Sequence, residues 1–306
     1  MPTPRVIEIV EVGPRDGLQS EPDVLPTQAK LELISRLADA GLRRIEVASF
    51  VNPKRVPQMA DGEAVLAALP PRPGVQYVGL VLNRKGFDRA IAAGCTEIGL
   101  VAVATDSFGQ RNQGASIDAA IATCEEIVPL AHAAGIRAQV TISVSFGCPF
   151  EGEVPAQRVA QIAARLARTN PIEIALADTI GVAVPPQVTA LIETVRAAIG
   201  NIPLRCHFHN TRNTAIANAY AAVMAGVSTL DASVGGIGGC PFAPNATGNV
   251  ATEDLVYMLS RAGFDTGVDL DRLIETAQWL QQQRGRPVPG MVSKAGIFPG
   301  LSSVSR

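Results

Sequence analysis

The chain is poor in aromatic residues, which fill 4% of its 306 positions and include one tryptophan. Stacking platforms for unpaired bases need several such rings, which argues against nucleic acid as the main partner. Neither sign of charge dominates: 26 Lys and Arg stand against 28 Asp and Glu, a net charge of −2, so no basic field exists to attract a duplex. Long hydrophobic runs are missing as well. The longest, such as IGLVAVA at 98–104, falls far short of the ~18 residues that a membrane span requires. The first residues, MPTPRVIEIVEVG, pass directly into a strand-like pattern and lack the apolar core of a signal peptide. Cysteine is too sparse for a disulfide framework. Its five copies, at 95, 124, 148, 206 and 240, are an odd number without CxxC spacing. Reduced thiols and a cytoplasmic location are the expectation.

What the chain does have is a recurring pattern and 47% hydrophobic residues, ample for a large core. A short β-branched run is followed by a polar loop, then by an alanine- and leucine-rich amphipathic stretch that ends at glycine. The runs at 6–13, 44–50, 76–83, 97–104, 138–146, 172–179, 204–210 and 228–236 predict strands. Helices are expected at about 26–40, 61–69, 85–93, 116–134, 155–169, 186–199, 213–225 and 252–262. Glycines 41, 94, 135, 200, 226 and 263 fall where those helices should stop in the left-handed conformation. Eight strand–helix units in succession imply a parallel sheet with right-handed crossovers, and at this length a (β/α)8 TIM barrel. A doubly wound sheet is the competitor, but EVGPRDG at 11–17 is no GxGxxG phosphate turn. The expectation is one catalytic domain over 1–306, with the barrel at about 5–265. A C-terminal helix near 270–284 and a Pro/Gly-rich tail, about 266–306 together, should pack outside it.

Only three histidines are present, and two stand two residues apart in RCHFHNT, 205–211. On a strand, His207 and His209 project to one face with Cβ atoms roughly 6–7 Å apart, close enough to share an ion. An isolated HxH is more often two hydrogen-bonded histidines. In a barrel, however, chemistry gathers at the carboxyl ends of the strands. There the chain offers Arg15 and Asp16, Glu46, Asn83, Ser143 and Ser145, Asp178, the two histidines with Asn210, Asp231 and Ser233, and a loop through Cys240 to Asn249. Such groups are costly inside a sheet unless paired or bound to an ion, so a metal site becomes the leading reading. Two imidazoles with oxygen donors and no cysteine pair point to a divalent metal, Mg2+ or Mn2+ first, with Zn2+, Co2+ or Fe2+ as substitutes. His132, on a helix far from any strand end, has no role in it, and none is given to Asp231 or Ser233.

Five stretches then carry a resemblance over nearly the whole chain: VEVGPRDGLQSEPDVLPT (10–27), IEVASFVNPKRVPQMAD (45–61), GCPFEG (147–152), ADTIGV (177–182) and SVGGIGGCPFAPNATGNVATEDLVYML (233–259). Together they resemble hydroxymethylglutaryl-CoA lyases, metallolyase barrels related to isopropylmalate and homocitrate synthases. The resemblance implies a metal held by Asp16, His207, His209 and Asn249, and an arginine, Arg15, that neutralises a thioester oxygen as it becomes an enolate. It also implies a loop cysteine, Cys240, in catalysis, and supporting acids at Glu46, Asp178 and Glu253. Around the ligands the chain reads HFHNTRNTAIAN where these lyases carry HCHDTYGQALAN. Asn210 in place of aspartate removes a charge. Arg212 in place of tyrosine adds an arginine expected to meet a carboxylate of substrate or an exposed acid.

The implied reaction is retro-Claisen cleavage of a 3-hydroxy-3-methylglutaryl thioester to acetyl-CoA and acetoacetate. The alternatives are a lyase for a related branched 3-hydroxyacyl-CoA and, less expected, a Claisen-condensing synthase, which usually carries a longer C-terminal region than the about 40 residues that follow the last barrel helix. His207 and Asp16 are the candidate proton carriers, and Cys240 would protonate the enolate or help to deprotonate the hydroxyl. Asn112, Ser116 and Lys85, with Arg111, are the expected contacts for the CoA part of the acyl-CoA thioester. The family habit of pairing through helices suggests a homodimer.

Overall fold

A computed structural model describes residues 4–239 and 248–299. Its sheet is a closed parallel barrel in the order β1-β2-β3-β4-β5-β6-β7-β8. The strands are β1 (Glu8–Glu11), β2 (Arg44–Ser49), β3 (Gln76–Leu80), β4 (Glu97–Val103), β5 (Arg137–Ser143), β6 (Ile174–Asp178), β7 (Leu204–Phe208) and β8 (Thr229–Ala232). Around them run α1 (Thr27–Asp39), α2 (Gly62–Ala68), α3 (Arg84–Ala92), α4 (Asp106–Asn112), α5 (Ile117–Ala133), α6 (Ala156–Ala167), α7 (Pro185–Ile199), α8 (Ala215–Met224) and α9 (Thr252–Arg261). Two more, α10 (Leu270–Arg284) and α11 (Val292–Ala295), follow the barrel. The fold is therefore a (β/α)8 TIM barrel, as the eight repeats predict.

Two elements depart from the sequence expectations. α4 interrupts the connection between β4 and α5, where an unbroken loop was expected. GPRDG (Gly13–Gly17) is a single π-helical turn in which the amides of Asp16 and Gly17 both reach the Val12 carbonyl, at 2.7 and 3.2 Å. Its glycines are required by space. A Cβ on Gly13 would lie 2.5 Å from Glu11 Oε1, and one on Gly17 would lie 2.7 Å from the Ile237 side chain. Glycines 41, 94, 135, 226 and 263 do end helices at φ between +70° and +100°. Gly200 also has positive φ, but its ψ of −126° lies outside the left-handed helical region.

The strand register brings one set of side chains to the barrel axis. Glu97 lies beside Arg137, Gly99 beside Gln139, Ala177 beside His207, and His207 beside Asp231. Barrel interiors are usually filled by Val, Ile and Leu, yet the floor here is ionic. Arg44 lies 2.5 Å from Glu97, 2.6 Å from Glu173 and 3.0 Å from Glu8; Arg137 lies 2.9 Å from Glu97. Higher up, Arg205 lies 3.3 Å from Glu173 and 3.0 Å from Asp231. Most of these charges are buried, so each depends on its partners to offset desolvation. The apolar core instead fills the ring between strands and helices, with Leu33, Ile34, Leu37, Val188, Ile192 and Leu255 all fully buried.

The described part of the C-terminal extension packs outside the barrel and then returns to its mouth. α10 lies against α1, α9 and the turn at 234–236. Arg284 holds Glu21, in the loop after the π-turn, at 2.8 Å, and Arg286 joins the same carboxylate. The Gly290 amide donates to the Gly235 carbonyl at 2.9 Å.

Candidate metal centre and active site

Asp16 at the end of the π-turn meets His207 of β7 and His209, one residue past the end of that strand, across the barrel mouth. Their potential ligand atoms lie within 4.8 Å of one another, the one such group of three among the described residues. The imidazole centroids are 5.0 Å apart. His209 forms an isolated antiparallel bridge with Asn249, and the Asn249 amide nitrogen donates to Asp16 Oδ2 at 2.8 Å and to the Ile237 carbonyl at 3.1 Å. All four residues that the resemblance assigns to the metal thus converge. His209 Nδ1 is buried without a hydrogen-bond partner, an orphaned donor atom of the kind that coordination satisfies. Two imidazoles, a carboxylate and an amide fit a divalent cation with open positions for substrate.

The electrostatics favour the unprotonated ligand set. Burial alone would raise the Asp16 carboxyl, but Arg15, both histidines and Asn249 together outweigh it and hold it at about 2. Burial, and next the neighbouring His207, push His209 down to about 3, so its ring is neutral. His207 differs. Burial lowers it, but the hydrogen bond and charge of Asp231, with Asp16, more than compensate and leave it above the ordinary histidine value.

Arg15 is held from two sides. Its Nη1 lies 2.7 Å from Asp16 Oδ1, while Nε and Nη2 reach Glu46 Oε2 at 2.8 and 2.6 Å. Burial disfavours the guanidinium's charge, but these two carboxylates raise its pKa further. Arg15, Asp16, Glu46, His207 and His209 all line one cavity of about 1040 Å3 whose floor is Gln139, Thr141 and Arg205.

The other expected site residues stand further out. Asp178 is buried, and its two oxygens accept the amides of Val182 and Ala183 at 2.9 and 3.0 Å, which shapes the ADTIGV loop. Glu253 accepts the Gly235 amide at 2.9 Å. Glu11 accepts the amides of Gly13 and Val234, at 2.8 and 2.9 Å, and the Thr252 hydroxyl at 2.6 Å. These acids fasten the two stems, 233–239 and 248–252, of the segment that carries Cys240; Cys240 itself lies outside the described residues. Arg212 lies near enough to Asp178 for its charge to favour that carboxylate. It donates to the Ile180 and Gly181 carbonyls at 3.1 and 3.0 Å, because the loop after β6 offers it two backbone acceptors. Of the expected CoA contacts, Asn112 lines the cavity. Ser116 caps α5, accepting the Ala119 amide at 3.2 Å, and Lys85 is exposed on α3. Asn52 and Arg55 line the cavity and were not anticipated.

Asp231, one of the strand-end residues to which the sequence assigns no role, lies 3.1 Å from His207 Nδ1. Register was the available signal: β7 and β8 set His207 beside Asp231.

Comparison with known proteins agrees with this geometry. Residues 6–280 match the family model described as HMGL-like. The chain is 43% identical to the (R)-citramalyl-CoA lyase of Chloroflexus aurantiacus, covering 98% of each. It is also 43% identical to the mitochondrial hydroxymethylglutaryl-CoA lyase of Bos taurus, covering 95% of this chain and 90% of that one. The structure of an HMG-CoA lyase from Acinetobacter baumannii, in complex with coenzyme A and 3-methylmalate, superposes with a TM-score of 0.92 at 39% identity and covers 97% of both chains.

Proposed function

Because the chain belongs to the HMGL-like family, we propose that it cleaves 3-hydroxy-3-methylglutaryl-CoA to acetyl-CoA and acetoacetate with a divalent cation, Mg2+ or Mn2+. The observation that carries this reading is the convergence of Asp16, His207 and His209 within 4.8 Å, beside an arginine fixed in the same cavity. A cation held by these three and Asn249 would bind the substrate's tertiary hydroxyl and carboxylate oxygens and lower the hydroxyl's pKa.

The chain's own residues supply the rest. The Arg15 guanidinium, oriented by Glu46 and Asp16, donates to the thioester oxygen where negative charge develops as the C2–C3 bond breaks. A fixed donor of this kind contributes about 3–4 kcal/mol when measured by deletion. His207, partly open to the cavity and bonded to Asp231, and Asp16 are the candidate acceptors of the hydroxyl proton, a role that either can take only when its ligation of the cation loosens. Cys240, the loop cysteine that the resemblance implies in catalysis, would protonate the acetyl-CoA enolate or help to deprotonate the hydroxyl. Rim residues Asn112, Asn52 and Arg55 offer polar contacts for the CoA moiety.

The test is direct. Purified protein with HMG-CoA and Mn2+ should release acetoacetate and acetyl-CoA in equal amounts, and EDTA should stop it. Binding without product would reject the lyase reading. A second reading is favoured by the citramalyl-CoA lyase relative, which matches end to end at 43% identity. With (R)-citramalyl-CoA the same bond cleavage would give pyruvate, so kcat/KM for the two thioesters ranks the acyl groups.

A further inference from the structure

His207 and His209 look alike in sequence, but their Nδ1 atoms meet different surroundings. His209 Nδ1 is buried without a partner, whereas His207 Nδ1 lies 3.1 Å from Asp231 Oδ2. Asp231 is itself 5% exposed, and its other oxygen lies 3.0 Å from Arg205 Nη1. Arg205 in turn is fixed by Gln139, by Thr141 at 3.3 Å and by Glu173 at 3.3 Å, and Glu173 belongs to the Arg44 cluster of the floor. A continuous series of buried charges thus ends on one imidazole.

We propose that Asp231 is a positioning residue that fixes the tautomer and orientation of His207. An Asp231 carboxylate can only accept, so Nδ1 must carry the proton and the Nε2 lone pair is left free toward the cavity. Arg205 keeps that carboxylate from turning away and compensates its burial. The outer carboxylate on a metal-bound histidine is a general device for setting ring orientation and ligand basicity. In this chain the device serves one of the two histidines, so His207 is the ligand whose direction is set from below.

The inference rests on the metal centre proposed above, and the experiment separates the two. Mn2+ binding is measured by EPR on the full chain and on Asp231→Asn, with near-UV circular dichroism as the check on packing. Asn presents an amide that can donate to Nδ1, which permits the opposite tautomer. The Mn2+ Kd should rise about 10–100-fold while the circular dichroism is unchanged. If the unsubstituted protein binds no Mn2+, the metal centre itself fails. If it binds and Asp231→Asn binds within twofold of it, the positioning role alone is wrong. Should Asp231→Asn not fold, long-range 1H–15N spectra of the unsubstituted protein decide. With three histidines in the chain, each is assigned readily. A proton on His207 Nδ1 upholds the proposal, and a proton on Nε2 overturns it.

Discussion

At the residue scale, the three assembled ligands differ in how strongly a proton competes for them. Asp16 at about 2 and His209 at about 3 are unprotonated throughout the working range. His207 is raised, its burial outweighed by Asp231 and Asp16. Below its raised pKa a cation must displace one proton from this ring. Metal affinity should therefore be flat at high pH and fall roughly tenfold per unit once pH drops below that value, with the slope of a single proton. Calorimetric Mn2+ titrations at several pH values check this; a two-proton slope would mean that His209 is also charged in the free protein. The pair of histidines was legible in sequence because HxH on a strand has one geometric meaning. Asp231 was not, because its importance lies in register across a strand pair, and no local pattern encodes which residue of β8 faces which residue of β7.

At the element scale, the strands and helices were legible because their periodicities differ and glycine marks the helix ends. The π-turn at Gly13–Gly17 was not, since five residues are too few to show a period. That turn and the stems of the 233–252 segment are fastened by two buried acids. Burial chiefly raises Glu11 to about 7 and Glu253 to about 8, against the lowering effect of their hydrogen bonds. Each carboxyl binds a proton in the folded chain that the unfolded chain releases at a lower pH. The stability this contributes is complete below the unfolded value near 4.5 and is lost as pH rises through about 7 and about 8. Glu253→Gln keeps an acceptor for the Gly235 amide but cannot ionise. Its Tm should drop less than that of the unsubstituted protein between pH 6 and pH 9 in parallel thermal scans. Equal drops would place the titrating group elsewhere.

At the scale of the whole molecule, the barrel is closed by apolar packing outside the strands and by ion pairs inside them. The sequence displayed Arg44, Glu97, Glu173 and Arg205 as ordinary charged residues near strand starts, and such residues are more often solvated. Only closure of the sheet brings them to one axis. Arg44 touches Glu97 and Glu173, both nearly inaccessible. Arg44→Ala removes the cation nearest both carboxylates, leaving Glu97 only Arg137 and Glu173 only Arg205, and should cost about 3–5 kcal/mol, measured by urea denaturation. A loss below 1 kcal/mol would mean that Arg137 and Arg205 suffice to hold the floor.

That floor also constrains how the enzyme could be remade. A library that randomises one interior position at a time will mostly produce stranded charges, and its survivors will reflect tolerance rather than new selectivity. Reshaping the floor of the cavity, where Thr141 and Gln139 adjoin Arg205, calls for joint replacement of cation and anion by neutral side chains of matched volume. Designed that way, the base of the barrel could be widened without first being unwired.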